Sequence, residues 1–189
     1  MIDKTLTFLL NALNDYFETS DEPKVVLSNI VAQDGSADHL PGNSILLTLV
    51  NVEEEKVLKS QTPYIKESNG SISKINPEIK INLSVLFSAN FSHKNYDQAL
   101  KYLSGILRFF QARNVFDHQN SPTLDPEIDK LILELITPSF EQLNHMWGFP
   151  GAKYMPSVMY KVRMLTIQES KVIESIEGVA GINKEFSGS

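Results

Sequence analysis

The residues best equipped for chemistry are the histidines and the carboxylates that could act with them. Of the four histidines, only His145 shares a predicted helical face with a carboxylate, in the spacing Glu141-x-x-x-His145. A carboxylate that orients an imidazole is the minimal acid–base pair of a small hydrolase. The pair lacks the second histidine of a zinc site, and its spacing is common on surface helices. A hydrolase that uses His145 and Glu141 therefore stays only as an alternative.

Other patterns that hold ions or phosphates are incomplete. The acids Asp125, Glu127 and Asp129 lack the glycine and the ligand number of a calcium loop, so we expect a turn and capping role. The segment Gly148-Phe-Pro-Gly151 follows a predicted helix and lacks the Lys-Ser/Thr pair of a phosphate loop. The absence of cysteine excludes thiolate catalysis, disulfides and cysteine-based zinc sites. The sequence predicts no catalytic residue, no metal site and no cofactor.

The charge of the chain limits its partners. A net charge of -6 and a pI near 5.2 argue against nucleic acid, because phosphate binding requires clustered Lys and Arg. Residues 1–56 hold ten acids and three bases, whereas residues 57–189 hold thirteen acids and fourteen bases. This asymmetry fits a solvated acidic face, or an acidic end of one subunit that meets the more basic end of the next.

The chain shows no sign of a membrane span or a signal peptide. No apolar run approaches the roughly 20 residues that a spanning helix needs. The N-terminus, Met1-Ile-Asp-Lys, leads directly into an amphipathic helix. We expect a protein that is made in the cytoplasm, with no signal peptide.

The spacing of apolar residues predicts an α+β domain, with a mainly antiparallel or mixed sheet packed by two or three helices. Helical spacing indicates helices over residues 2–17 and 96–110, and Asn95 with Gln98 has the spacing of a reciprocal N-cap pair. Strands are predicted over residues 25–31, 45–52, 79–91, 131–136 and 157–165.

Three consecutive segments differ in their pattern. Residues 45–52 are apolar at almost every position, which suggests a strand covered on both faces. Residues 59–77 are polar and rich in Ser, Asn, Gly and Pro, so they are expected to form a loop or a loose hairpin. Residues 79–91 alternate with a period of two, which predicts a strand with one buried face.

The segment from Phe140 to Leu165 holds the only tryptophan. A helix is expected to start within residues 137–139, with Pro138 tolerated in its first turn, and to end at Gly148. Trp147 lies seven residues after Phe140 on this helix, so we interpret it as a packing anchor rather than a binding residue.

Binding contacts are expected after this helix. Tyr154 and Pro156 lie in the following turn, where exposed aromatic residues often serve binding. The next strand has a wetter, cationic face with Lys161 and Arg163, which are further interface candidates. The predicted core face comprises Val158, Tyr160, Val162 and Met164.

The C-terminal residues have a different pattern, which divides the chain into a domain over residues 1–170 and an arm or tail over residues 171–189. Apolar residues there are separated by glycine and asparagine, so the segment is either a docking arm or a frayed tail. As an arm, its interface candidates are Ile176, Ile182 and Phe186.

One ordered set of motifs runs from Leu143 to Arg163: Leu143-x-x-x-Trp147, the turn Gly148-Phe-Pro-Gly151, and Tyr154-x-Pro156-Ser157-x-x-Tyr160-x-Val162-Arg163. With the preceding elements, it resembles the cap, or tail-terminator, family of contractile injection systems over roughly residues 1–168. The resemblance implies a tail-terminator-like fold and a non-enzymatic structural part of a phage-tail-like particle. Such caps form a ring, expected here as a homo-hexamer, on the inner tube and the last sheath layer away from the baseplate.

The partners implied by the resemblance are further copies of the chain, the sheath and the inner-tube protein. The particle would assemble in the bacterial cytoplasm, and cell lysis would release it. An adaptor or baseplate component of the same machine is the alternative that the residues leave open.

Overall fold

The computed structural model describes residues 1–18, 24–30, 40–55, 64–66, 72–76, 78–148, 153–167 and 172–176. Its helices are α1 (Ile2–Tyr16), α2 (Tyr96–Ala112, after a 3-10 turn at His93–Asn95) and α3 (Phe140–Gly148). Its strands are β1 (Val25–Leu27), β2 (Ser44–Glu54), β3 (Tyr64–Lys66), β4 (Ile72–Ile75), β5 (Ile79–Asn90), β6 (Val115–Asp117), β7 (Lys130–Ile136), β8 (Ser157–Ile167) and β9 (Val172–Ile176). The expected α+β class is confirmed.

The main sheet joins six strands in the order β1-β2-β5-β8-β7-β6. Neighbouring strands run antiparallel, except β1 and β2, which run parallel. A second sheet has the antiparallel order β3-β4-β9. Its β3–β4 pair is the hairpin that was one of the two expectations for residues 59–77.

The hydrophobic core lies between one face of the main sheet and the helices α1 and α2. Phe110 of α2 has its ring centroid 4.8 Å from that of Tyr160 on β8 and 5.7 Å from that of Phe87 on β5. Ring contacts of this kind add to the area that each aromatic side chain buries. Most of the apolar stripe of each helix, at three- and four-residue spacing, faces this core, whereas Tyr96, Leu100 and Leu107 of α2 are exposed. The fully buried residues of the two helices include Leu9, Leu13, Ala99 and Ile106.

Two central strands differ from their expected burial. In β2 only residues 44–47 are buried, whereas Val50 and Val52 are 41% and 44% exposed, so the prediction of cover on both faces is wrong for most of this strand. The neighbouring β1 pairs only with residues 45–47, and among the described residues no other strand pairs with that edge of β2. The strand β5 is buried on both faces, because its polar positions carry small side chains such as Ser84 and Ser88 between two long neighbouring strands.

The helix starts also differ from expectation. Asn95 makes no capping bond with its side chain, and its Nδ2 instead donates to Asn43 Oδ1 at 3.0 Å. The reciprocal pair occurs at α3, where the Gln142 N–H donates to Ser139 Oγ at 3.2 Å and the Ser139 N–H donates to Gln142 Oε1 at 2.8 Å. This capping box starts α3 at Phe140, so Pro138 precedes the helix rather than lying in its first turn.

A bulge changes the alternation along β8. Between the pairs Ile81↔Leu165 and Leu83↔Val162, β8 contains one residue more than β5. An extra residue of this kind shifts the faces of the strand by one position. Leu165, which is 1% exposed, therefore holds the core position after Val162, where simple alternation predicted Met164.

Candidate interaction surface

The sheet face opposite α1 and α2 carries a row of ion pairs. Lys161 Nζ on β8 lies 3.1 Å from Glu53 Oε2 on β2. Arg163 of β8 lies 3.0 Å from Glu134 of β7 and 3.5 Å from Glu55 at the end of β2. The hydrogen bond and the charge of Glu134 raise the pKa of the Arg163 guanidinium above its ordinary value, with Glu55 adding to the effect.

These pairs correct the expected cationic face. Sequence alternation placed Lys161 and Arg163 on one side of β8 correctly, but it could not show which carboxylates neighbouring strands bring there. Asn82 of β5 adds to the row, since its Nδ2 donates to Glu55 Oε2 at 3.0 Å. The face is therefore charged and hydrogen-bonded, but its positive charges are balanced within the chain.

Trp147 and Tyr154 pack together at the end of α3. Trp147 is only 5% exposed, which confirms the packing-anchor interpretation. Tyr154 is 68% exposed, and its ring meets the Trp147 ring edge to face at 5.8 Å between centroids. Pro156, half-buried beside them, accepts a hydrogen bond from the Ala89 N–H at 2.9 Å through its carbonyl. Trp147 thus supports an exposed tyrosine from beneath, and Pro156 fixes the start of β8 against β5.

An apolar cleft of about 830 Å³ separates α3 from the same sheet face. Its apolar lining includes Ile30, Val50, Ile136, Met146 and Met159. Glu53, Gln142 and His145 add polar groups to the lining. Methionine side chains adapt to different apolar partners, so this cleft suits the side chain of a binding partner better than a reaction.

The candidate chemical groups do not assemble into a reactive site within the described residues. Glu141 and His145 are both exposed, and neither a hydrogen bond nor an ion pair joins them there. Across the described part of the chain, no group of three or more His, Asp or Glu side chains is placed to hold a metal ion. His39 lies outside the described residues.

The acidic cluster after β6 has the turn role that its sequence predicted. The Asp125 carboxylate accepts a hydrogen bond from the Glu127 N–H at 2.9 Å, and this bond is the main reason that the pKa of Asp125 is lowered. Lys4 of α1 lies 3.1 Å from Asp125 and 2.8 Å from Glu127. Together these contacts join the turn to α1.

The C-terminal candidates are only partly described. Ile176 ends β9, which pairs antiparallel with β4, so the predicted arm begins with a strand of the second sheet. Ile182, Phe186 and the residues 149–152 of the predicted turn lie outside the described residues. The division of the chain near residue 170 stays a prediction.

The comparison with protein families decides which family these features represent. The model of the Pvc16 N-terminal domain matches residues 3–179. The chain belongs to the Pvc16 N-terminal domain family. The match extends beyond residue 168, where the motifs seen in the sequence ended, and includes β9.

Two solved structures share the fold of this Pvc16 N-terminal domain. One is the sheath/tube terminator of an extracellular contractile injection system, PVC, in the extended state, with a TM-score of 0.65 and 14% identity. The matched region covers 100% of this chain and 64% of the terminator's chain. The other is the tube-terminating cap of the anti-feeding prophage, with a TM-score of 0.56 and 17% identity. The matched region covers 96% of this chain and 60% of the cap's chain. The chain thus spans less than two thirds of the length of either.

A comparison with curated proteins finds no similar sequence. Among the described residues, no helix combines the length and the apolar character that crossing a membrane requires. The tail-terminator fold that the motifs implied is confirmed.

Proposed function

We propose that this chain is the structural cap subunit that terminates the inner tube and sheath of a contractile injection particle at the end away from the baseplate. The observation that carries the proposal is the family match over residues 3–179, together with the likeness to two terminators over almost the whole chain. The role is structural, without catalysis. The particle assembles in the bacterial cytoplasm, and cell lysis releases it.

The physical task of such a cap is to end a polymer. A growing tube presents subunit faces and strand edges that recruit the next layer. A terminator must match that face on one side and offer no equivalent template on the other. Copies of the chain form a ring, six-membered as in the cap family that the sequence resembles. Head-to-tail contacts leave no free end when the rotation from one copy to the next closes the ring.

The contacts with tube, sheath and neighbouring subunits are proposed for the surfaces already described. Tyr154 offers an exposed aromatic ring that Trp147 holds in place, and Pro156 fixes the same turn. The ion-paired face at Lys161 and Arg163 offers hydrogen-bonding groups, and Glu53, the partner of Lys161, also lines the apolar cleft. In the arm, the contacts are Ile176, Ile182 and Phe186.

Electron microscopy of purified particles that carry a labelled chain tests the position of the cap. We expect the label at the end away from the baseplate, and tubes of irregular length in particles made without the chain. A label at the baseplate end would contradict the cap proposal and support the alternative, an adaptor or baseplate component.

The substitution Tyr154→Ser tests the turn surface. Because Tyr154 is 68% exposed, the fold should persist while the fraction of capped particles falls. The matched control is Tyr96→Ser on α2, which removes another exposed tyrosine, 52% exposed, outside the proposed contacts. Equal fractions of capped particles with both variants would show that Tyr154 makes no contact needed for capping.

Deletion of residues 177–189 tests the arm while it keeps β9 paired with β4. We expect unchanged unfolding of the domain and a lower fraction of capped particles. The control is deletion of residues 187–189 alone, which removes no apolar side chain. Normal particle ends and lengths in the longer deletion would show that the arm makes no contact needed for capping.

A further inference from the structure

The main sheet has two partly open edges. Along β2 the short strand β1 pairs only with residues 45–47, and among the described residues no strand pairs with the outer edge of residues 49–53. Along β7 the short strand β6 pairs only with residues 130–132. The Leu133 N–H then donates to the Asn114 carbonyl at 2.8 Å, and residues 134–136 have no outer strand partner in the described chain.

The two open edges lie at the same level of the sheet. The register gives one row through Leu49, Val85, Tyr160 and Leu135, and the next row through Asn51, Ser84, Lys161 and Glu134. β1 covers the edge on one side of this level and β6 covers the opposite edge on the other side. At equal level, however, Val52 of an incoming β2 faces Leu133, whose outer edge Asn114 and β6 already occupy. Because strands that close into a ring are staggered in register, the incoming β2 fits with a stagger of about two residues, which sets Val52 opposite Leu135.

The exposed side chains at the two edges are complementary. Val52 pairs with Leu83 and Leu135 pairs with Tyr160, so both side chains point to the helical face of the sheet, and they are 44% and 54% exposed. Beside Leu135 lies a groove of about 620 Å³ between β7 and α2, which Leu107 also lines. A valine at the edge of an incoming strand can bury its side chain in such a groove.

Charge favours the same arrangement. Arg108 of α2 lines the groove, and it has no ion-pair or hydrogen-bond partner among the described residues. The open end of β2 carries three consecutive glutamates, Glu53 to Glu55, and Glu54 pairs with Ile81, which places it on the helical face with Val52. An incoming β2 therefore brings the carboxylate of Glu54 towards the guanidinium of Arg108.

We propose that the open edge of β2 in one copy of this chain adds to the open edge of β7 in the next copy, so that the main sheets form one continuous sheet around the ring. The two strands meet antiparallel, because three antiparallel steps separate β2 from β7 within one sheet. The proposal rests on the ring of the proposed function and names its contact. The outer strands β1 and β6 are only three residues long, and edge strands this short limit pairing with any other sheet.

Paired cysteines test this contact, since the chain has no native cysteine. The variant with Val52→Cys and Leu135→Cys is treated, as purified chain and in particles, with a thiol–thiol cross-linker about 8 Å long. That length also reaches diagonal neighbours, which lie about 7–8 Å apart across two strands. We expect a ladder of covalent oligomers that ends at the closed ring. The control, Val52→Cys with Leu100→Cys on exposed α2 surface, should give less than a tenth of that yield.

The outcomes separate the two proposals. In one outcome, micrographs show rings while the Val52/Leu135 variant gives no more covalent oligomer than its control. That result would overturn the edge contact and leave the cap function standing. A ladder from a chain that microscopy places at the baseplate would support the edge contact and overturn the cap. The variant Leu135→Lys provides a second measurement. It should weaken self-assembly at least tenfold and leave the unfolding of the single chain unchanged. Unchanged self-assembly would also overturn the edge contact.

Discussion

At the scale of single residues, Asn14 connects the last turn of α1 to the first residue of β1. Its Oδ1 accepts hydrogen bonds from the N–H groups of Lys24 and Val25 at 3.0 and 2.9 Å, and its Nδ2 donates to the Val25 carbonyl at 2.9 Å. The amide thus satisfies backbone groups at the start of an edge strand. No sequence pattern distinguishes this asparagine from Asn11 on the same helix, because its partners lie outside the helix.

The substitution Asn14→Ala should lower the free energy of unfolding by about 2 kcal/mol, because it leaves partly buried backbone groups without a partner. Urea unfolding followed by circular dichroism measures the change. Asn11→Ala, at an exposed position of the same helix, should change it by less than about 0.5 kcal/mol. Equal effects of the two substitutions would contradict the role assigned to Asn14.

The buried phenol of Tyr160 should make the stability of the fold depend on pH in the alkaline range. Burial raises the pKa of its phenol above the ordinary value of 10.0. The unfolded chain therefore loses this proton at lower pH than the folded chain, so the stability that the neutral phenol contributes is complete below pH 10 and declines above it. Tyr160→Phe removes that decline. Unfolding curves of the two proteins should differ by a constant amount up to pH 9 and diverge above about pH 10; curves parallel to pH 11 would contradict the assignment.

At the scale of elements, α1 and α2 meet at Gly105. A Cβ added there would lie 2.5 Å from Cε1 of Phe17, directly after α1. The Phe17 ring also contacts Tyr102 edge to face, with 5.0 Å between centroids. The absence of a side chain at residue 105 thus lets the end of α1 pack closely on the middle of α2.

Two opposing effects determine the outcome of Gly105→Ala. Alanine favours a helix interior by about 1 kcal/mol over glycine, whereas forcing a methyl group into a filled site costs about 1–3 kcal/mol. We expect a net loss of stability in the native chain, because a shift of the Phe17 ring away from residue 105 weakens its edge-to-face contact with Tyr102. In a Phe17→Ala background the same substitution should stabilise by up to about 1 kcal/mol. Chemical unfolding of the four proteins measures the coupling, and an equal effect in both backgrounds would contradict the close contact.

Sequence periodicity predicted the elements better than their ends. The helices α1 and α2 and the strand β5 occupy the residues that their apolar spacing predicted, because each repeats one pattern over many residues, although β5 is buried on both faces rather than on one. The cap at Ser139, the bulge opposite Ile81 and the pairs of Arg163 depend on residues brought close only by folding. For the same reason, the sequence identified Tyr154 in its turn but missed the apolar cleft and the two open edges.

At the scale of the whole molecule, the charge asymmetry of the sequence is partly balanced inside each chain. Glu53 and Glu55 belong to the acidic first part of the sequence, and they pair with Lys161 and Arg163 of the more basic second part. In the opposite sense, Lys4 pairs with two acids of the second part. The structure therefore favours the reading of a solvated acidic face over one in which an acidic end must meet a basic end of the next subunit.

This balance leads to a prediction about assembly in salt. If apolar side chains and backbone pairing supply most of the contact between subunits, the assembly constant should change by less than about threefold between 0.1 and 1 M NaCl, although the Debye length falls from about 10 Å to about 3 Å over this range. Sedimentation velocity of the purified chain measures the assembled fraction at each concentration. The substitution Arg108→Gln should remove the small remaining salt dependence, because it deletes the one cation proposed to meet the glutamates of β2. A loss of assembly of tenfold or more in 1 M NaCl would instead show that charges between subunits dominate the contact, as the asymmetry of the sequence alone allowed.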